Sequence, residues 1–502
     1  MQSFHSRWSR VEARLRARAG ERGRPGPPLA AAAALLVAVG AFLALLLPLS
    51  PGRLDRPSAE LIPELPHWAA LASLAPAWLS DPRAVALAVL LACAAAFGAW
   101  VLAIAACWGR AAERGPLALV VGTSLLLLGI SAAALPNVST DVYNYIARGR
   151  VASAHGVSPY RVAVDAFPED PAYRYASHRF TAEPGGKLPV FMLLDVALTA
   201  AAGDSVVRAL FAYRIALFGL AAASLALVAA ILRVLAPRHL LAGLVIFGWS
   251  PIVTFHAPAK SDTAMAFLLL VALWLLARGR RRYAAVALTG SVLVKLLTLP
   301  LAALWGVREL RLRGLREASI GAGLTLATAA ALYLPFGSFD TFLRHALLVG
   351  DGGADAPGGF DHLARAAFVL LFLAVAFTRT DGLASLLRGG AWLMLAFTPL
   401  LTPFQLSWYQ ISVLAIACLV ADARVACTAL ALGFSAFTLN VWHSSSTGSF
   451  PLPAPVSLAV PLLLALLAFA LAGGELLYPG VLRRLRALEG VPRAGTRLDA
   501  AG

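Results

Sequence analysis

The feature that most constrains this chain is a series of apolar stretches, each long enough to cross a lipid bilayer. A hydrocarbon core of about 30 Å requires roughly 20 apolar residues in a helix. Apolar residues make up 60% of the 502 positions and charged residues only 14%, a balance unlike that of water-soluble domains. The sequence therefore predicts an all-α polytopic membrane protein with about twelve transmembrane helices. The predicted spans are 29–50, 84–107, 117–135, 207–232, 240–256, 263–278, 318–337, 363–378, 390–404, 409–421, 425–442 and 453–472.

The net charge of +16 reports orientation and does not indicate a nucleic-acid partner. The arginines lie in short segments between or beyond the apolar spans, as is typical of cytoplasmic loops. Seven arginines precede the first span, and twelve crossings return the basic C-terminus to the same side. We expect a multi-pass protein of the cell (inner) membrane with both termini in the cytoplasm. The two largest hydrophilic segments, 136–187 and 338–362, then face the exoplasm.

Two apolar segments do not fit simple crossings. Arginine-rich runs flank 283–306 on both sides, which favours a re-entrant hairpin from the cytoplasm with Lys295 near its turn. Residues 188–202 are too few for a comfortable crossing and are interpreted as a helix at the outer membrane surface. The predicted organisation has five parts: a basic cytoplasmic N-terminus (1–28), extra N-terminal transmembrane helices (29–135), an exoplasmic catalytic loop with the interfacial helix (136–206), a transmembrane core (207–472) and a basic cytoplasmic tail (473–502).

The polar residues best suited to carry out chemistry follow the third span. The stretch Asp141-Val-Tyr-Asn-Tyr-Ile-Ala-Arg-Gly-Arg150 contains a carboxylate, two tyrosines and two arginines at the edge of the bilayer. Ionisable groups in such positions are usually functional. The alternative is that Asp141 only caps a helix N-terminus. The Gly156-Val-Ser-Pro-Tyr160 turn signal predicts the end of this helix.

Together with Gly156-x-x-Pro-Tyr160, this stretch resembles the first external loop of GT-C fold glycosyltransferases that use polyprenyl-phosphate sugars. The resemblance is to the bacterial α-1,6-mannosyltransferases of lipoglycan assembly in particular, and it covers roughly residues 117–440. Further matches follow in order, at Pro189, Phe191, Lys260-Ser-Asp262, Lys295 and Trp408-Tyr409. The chain departs from the wider superfamily in two ways. Two extra helices precede the catalytic loop, and a single carboxylate replaces the usual double-acid motif, because Val142 follows Asp141.

The resemblance implies an inverting transferase that moves a hexose from polyprenyl phosphate to a lipid-linked or glycan acceptor on the exoplasmic face. The hexose that it implies is mannose. A lone carboxylate suits this chemistry, since the acceptor hydroxyl needs a base while the phosphate leaving group needs no general acid. A single displacement inverts the anomeric centre. We therefore expect Asp141 to be the catalytic base, with Tyr143 and Tyr145 among the substrate-binding residues. We expect neither a cofactor nor a metal.

Positive charge for the phosphate is the remaining requirement. Only three of the 42 basic residues are lysines, namely Lys187, Lys260 and Lys295. An ammonium is a compact charge that suits a phosphate oxygen in a tight site. We expect Lys260 and Lys295 to bind the phosphate, with Arg148 or Arg150 assisting. Few acids lie near Lys295 in sequence, so the donor is expected to supply its anionic partner.

Each of these residues also has a structural alternative. Lys260 could snorkel to the interface, and Lys295 could pair with a carbonyl. Trp408 and Tyr409 fit either a platform for sugar or prenyl groups or an aromatic belt at the membrane surface. Asp262 fits either a helix cap or a ligand.

A transporter of lipid-linked sugar is the rival class, because many spans and a re-entrant hairpin also occur in carriers. Carriers commonly show related halves and place ionisable residues near the midplane. This chain has no visible internal repeat and concentrates its charge in external loops. A third possibility is a non-catalytic assembly subunit that keeps the fold.

Overall fold

The computed structural model describes residues 26–49, 60–61, 64–136, 141–177, 181–337, 358–378, 382–401, 406–420, 425–426, 428–433 and 436. Four predicted features lie outside the described residues. They are the span 453–472, the basic tail 473–502, residues 1–25 of the basic N-terminus and residues 338–357 of the second segment predicted to be exoplasmic.

All regular secondary structure in the described ranges is helical. The α-helices in chain order are α1 (Pro27–Ala41), α2 (Pro66–Ser73), α3 (Pro82–Cys107), α4 (Arg114–Ala133), α5 (Asp141–Ser153), α6 (Pro189–Ala202), α7 (Val206–Leu235), α8 (Leu240–Gly248), α9 (Pro251–His256), α10 (Asp262–Ala277), α11 (Arg281–Val292), α12 (Leu299–Arg313), α13 (Leu315–Tyr333), α14 (Gly358–Thr378), α15 (Leu383–Leu401) and α16 (Gln410–Ala417).

Six helices of the described part are long and apolar enough to cross a membrane, and a bent pair raises the number to seven. The protein is therefore a polytopic membrane protein. The six are Pro27–Leu49, Arg83–Cys107, Arg114–Ala133, Val206–Leu235, Leu315–Phe336 and Leu383–Leu401, and the bent pair is Pro237–Gly248 with Pro251–Ala259, at 47°.

The count of twelve crossings is not confirmed by these residues. Three predicted spans, 263–278, 363–378 and 409–421, correspond to apolar helices shorter than the length required of a full span. The helix α10, for example, has 16 residues and measures about 24 Å at 1.5 Å per residue. The predicted span 425–442 is described only in part, and 453–472 is not described.

The region predicted as a re-entrant hairpin contains two short helices, α11 and α12, separated by a non-helical segment around Lys295. The helix α11 follows α10 after a tight turn at Gly279 and packs against it. Because α11 and the residues after it retrace most of the length of α10, Lys295 returns to the level of Asp262. The position of this hairpin in the membrane stays a prediction.

The segment predicted to be exoplasmic is organised by the contact between α5 and α6. The helix α5 ends at Ser153, and Gly156 follows with φ +69°, as the predicted turn requires. Pro189 occupies the first turn of α6, where its missing N–H costs nothing. The two helices approach closely at Gly149, where a Cβ atom would lie 2.6 Å from the backbone oxygen of Asp195. A side chain at position 149 would force the helices apart.

Candidate active site

The polar residues of α5 divide between two sides of the helix. Asp141, Tyr145 and Arg148 are spaced by four and three residues, so they lie on one face. The Tyr145 hydroxyl donates to Asp141 Oδ2 at 3.4 Å. Tyr143 lies elsewhere on the helix, fully buried, with its ring stacked on that of Tyr175. The structure thus groups one tyrosine and one arginine of the motif with Asp141.

Lys260 is the ion-pair partner of Asp141. Its Nζ atom lies 3.0 Å from Asp141 Oδ2, and the lysine side chain is 3% exposed while that of Asp141 is 27% exposed. The ammonium also lies 3.6 Å from the centroid of the Trp408 ring. The Lys260 side chain is buried and does not snorkel to a surface. The Trp408 side chain is also buried, and it contacts this lysine instead of forming part of an exposed belt.

Lys295 forms a second, similar arrangement with Asp262. Its Nζ atom lies 3.1 Å from both carboxylate oxygens and 3.9 Å from the centroid of the Tyr409 ring. The expectation that Lys295 lacks an acidic partner in the protein is therefore wrong. The partner is 33 residues away in sequence and is brought close by the return of α11 alongside α10. Asp262 begins α10 and its side chain binds this lysine.

Lys187 is a component of the site that the sequence analysis did not select. Its Nζ atom lies 4.9 Å from the centroid of the Tyr145 ring. All three lysines of the chain lie near enough to lower the pKa of the Asp141 carboxyl. Their rarity among 42 basic residues was the available signal, and it applied equally to Lys187.

The charge on Asp141 is controlled by these lysines. Burial of the carboxyl raises its pKa, but the ammonium groups of Lys260, Lys187 and Lys295 together lower it by more. The net pKa lies below the usual range, so the group is a carboxylate at neutral pH and is ready to accept a proton. It is also stabilised in that state, which reduces its basicity while Lys260 remains bound.

Asp195 is a buried carboxyl that the sequence analysis missed. It lies on α6, is fully buried and accepts a 2.8 Å hydrogen bond from the Tyr213 hydroxyl. Burial raises the pKa of Asp195 well above its usual value, which favours the neutral acid. Asp195 therefore adds little negative charge to the site.

Arg150 binds two acidic residues, Asp170 and Asp204. Its guanidinium contacts both oxygens of Asp170, at 2.8 and 2.9 Å, the Gly203 carbonyl at 2.6 Å and Asp204 at 2.9 Å. His155 also contacts Asp170, at 2.8 Å. These bonds tie the end of α5 to the loop that follows it and to the end of α6.

No group of three or more His, Cys, Asp or Glu side chains within the described ranges could hold a metal ion. The expectation of a metal-free enzyme stays a prediction.

The region that contains Asp141 and the three lysines matches a family model. The model is described as Alpha-(1->6)-mannopyranosyltransferase, N-terminal domain, and it matches residues 29–309, more than half of the chain. The protein belongs to this family. The resemblance to α-1,6-mannosyltransferases is thereby confirmed. Membership of the family supports glycosyltransferase activity in which mannose is the sugar transferred. Trp408 and Tyr409 lie beyond the matched residues. Searches of curated proteins and of solved structures returned no match.

Proposed function

We propose that this mannosyltransferase takes mannose from a polyprenyl-phosphate donor and adds it to a hydroxyl of a lipid-linked or glycan acceptor on the exoplasmic face of the cell membrane. The arrangement is of the GT-C type. The observation that carries the proposal is the partly exposed Asp141 carboxylate at the start of α5, which is paired with Lys260 at 3.0 Å and whose pKa is lowered by all three lysines of the chain. A base beside concentrated positive charge is what transfer from a phosphate-linked sugar requires.

In the proposed reaction, the acceptor oxygen attacks the anomeric carbon of mannose from the side opposite the phosphate. The bond from that carbon to the phosphate oxygen breaks, and its electron pair stays on the phosphate. Asp141 receives the hydroxyl proton, which becomes more acidic as the acceptor oxygen bonds to carbon. This timing allows a carboxylate of low pKa to act as the base. A single displacement inverts the configuration at that carbon.

Two pairs of residues provide and hold the positive charge. Lys260 and Lys295 stabilise the phosphate as its negative charge grows. Trp408 and Tyr409 each place a ring face against one of these ammonium groups, a cation–π contact that fixes the lysine side chains. We assign the two aromatic residues this positioning role within the donor site.

Other residues of the predicted site support its shape. Tyr145 orients Asp141 through its hydroxyl. The Arg148 guanidinium occupies the space that a Cβ atom at Gly186 would need, so it packs against the segment that leads to Lys187. Arg150 and Tyr143 stabilise the exoplasmic segment through the contacts with Asp170 and Tyr175, and we assign them no direct contact with substrate.

The test uses the purified protein in lipid nanodiscs with radiolabelled polyprenyl-phosphate mannose and an extract of membrane lipid acceptors. We expect label to appear in the acceptor. In liposomes, label that crosses the bilayer without transfer would identify a transporter, and neither event would identify a non-catalytic subunit. Asp141→Asn should lower the transfer rate by about 10² to 10⁴, because the amide cannot take the proton.

The matched control is Asp165→Asn, the same change at an exposed position of the same segment. It should leave the rate unchanged. Near-normal turnover of Asp141→Asn would eliminate Asp141 as the base.

A further inference from the structure

The three lysines of the site differ in one respect. Each ammonium lies over an aromatic ring, but only two have a carboxylate partner in the described part of the chain. Lys260 is paired with Asp141, and Lys295 with Asp262. No ion pair of Lys187 is found among the described residues. Lys187 therefore contributes one positive charge that no ion pair with a described residue neutralises.

The segment that carries Lys187 is held in place by its backbone. The Tyr160 hydroxyl donates a 2.7 Å hydrogen bond to the Lys187 carbonyl. The N–H of Gly185 donates to the Pro159 carbonyl, also at 2.7 Å. Gly186 adopts φ +96°, which favours glycine. The side chain of Lys187 is half-buried, so an entering ligand can reach it. A cation that is held in place without an acid is suited to an anionic ligand.

We propose that Lys187 binds the phosphate of the incoming donor, and that protonation of Asp141 releases Lys260 to bind the leaving phosphate. We call this exchange of partners by Lys260 the lysine handover. It rests on the proposed transferase function and adds to it the order in which the two cations engage the phosphate.

The charges balance at each step. The donor is a phosphodiester with one negative charge, which matches the single un-neutralised charge of Lys187. When the bond to the sugar breaks, its electron pair gives the phosphate a second negative charge. The acceptor proton moves to Asp141, which becomes neutral and no longer pairs with Lys260. A buried ammonium without a counter-ion is costly, so Lys260 turns to the new negative charge.

The accessibility of the two carboxylates explains why the handover involves Lys260 and not Lys295. The Asp141 side chain is 27% exposed, whereas that of Asp262 is 1% exposed and binds Lys295 through both oxygens. An acceptor hydroxyl can approach only the first. Lys295 therefore stays paired with Asp262 throughout the reaction.

The test measures binding of two probes to the full chain in nanodiscs by titration calorimetry. Farnesyl phosphate is a monoester that carries two charges above its second pKa of about 6 and represents the leaving phosphate. Its methyl diester carries one charge and represents the donor. Both lack the sugar, so binding is measured without turnover.

Lys187→Met should weaken the binding of both probes by about tenfold or more, and Lys187→Arg should retain most of the affinity. Arg208→Met is the matched control, since Arg208 is an exposed cation of the neighbouring helix α7 and makes no ion pair with a described residue. It should change neither affinity. Unchanged binding by Lys187→Met would remove Lys187 from the phosphate site.

Asp141→Asn imitates the protonated state and should tighten monoester binding by about tenfold, with a clearly smaller gain for the diester. The gain should vanish in Asp141→Asn/Lys260→Met, because the released ammonium is its cause. Equal or weaker monoester binding by Asp141→Asn would overturn the handover. Thermal unfolding of each variant verifies that it is folded.

The transfer assay separates this inference from the proposed function. If the parent protein shows the expected binding pattern but transfers no mannose, the phosphate site stands and the transferase proposal fails. If mannose is transferred but Asp141→Asn shows no gain in monoester affinity, the handover alone fails.

Discussion

Replacement of Gly149 by alanine tests whether the contact between α5 and α6 positions the catalytic base. The added Cβ would lie 2.6 Å from the Asp195 carbonyl oxygen, 2.8 Å from its carbon and 2.8 Å from Thr199 Oγ1. Ordinary van der Waals contact begins at 3.4 Å, so the helices must separate by about 0.8 Å. Two of the three atoms belong to the backbone and cannot rotate away.

The cost of such overpacking is about 1 to 3 kcal/mol, against a gain of up to about 1 kcal/mol from the better helix propensity of alanine. With that gain taken in full, we expect a net loss of about 0 to 2 kcal/mol in the free energy of unfolding. The effect on catalysis should be larger. Asp141 lies on α5, and Lys187 lies just before α6, so separation of the helices moves the base relative to the cation. A misplacement of about 1 Å can reduce a rate about 10²-fold.

The assays are thermal unfolding followed by circular dichroism and the mannose transfer rate. Gly129→Ala is the matched control on α4, where a Cβ would meet nothing within 4 Å. Its stability should be unchanged or rise by up to about 1 kcal/mol, and its activity should be normal. A Gly149→Ala protein as stable and as active as the parent would refute the reasoning.

Three further predictions concern stability and topology. Asp262→Asn should lower the free energy of unfolding by about 3 to 5 kcal/mol, because it leaves the Lys295 ammonium without its counter-ion. The double variant Asp262→Asn/Lys295→Met should recover much of that stability. A double variant no more stable than Asp262→Asn would contradict this explanation. The arginine distribution predicts that an impermeant thiol reagent labels a cysteine at Gly353 from outside and not one at Gly314, and the reverse pattern would overturn the topology. Burial raises the pKa of Asp170, but its hydrogen bonds to Arg150, the Ala172 N–H and His155 lower it by more, so the folded-state pKa lies below 3.8. The Asp170 carboxylate therefore stabilises the fold above pH 3.8, and this stabilisation is lost as the pH falls through the folded-state pKa. In an acid titration Asp170→Asn should lose less stability than the parent, and an identical loss would exclude this carboxylate as a cause.

The sequence was sufficient for features that depend on local composition. Apolar length predicts a polytopic membrane protein, because membrane insertion responds to the segment itself, and the long apolar helices agree with this. The orientation that the arginine positions indicate stays a prediction. The ordered motifs from Asp141 onward identified the mannosyltransferase family that the family model confirms. The end of α5 before Gly156 also followed from local turn chemistry. The predicted number of crossings is not confirmed, because packing against neighbouring helices decides where a helix such as α10 begins and ends.

Only the tertiary structure decided which charges meet. Asp141 and Lys260 are 119 residues apart and Lys295 and Asp262 are 33 apart, so neither pair is marked by sequence spacing. The placement of Lys187 over Tyr145 is equally non-local. Ion pairing depends on distance and burial in three dimensions, and both are set by how the helices pack. The sequence can therefore nominate the charged residues of this site, but helix packing alone selects their partners.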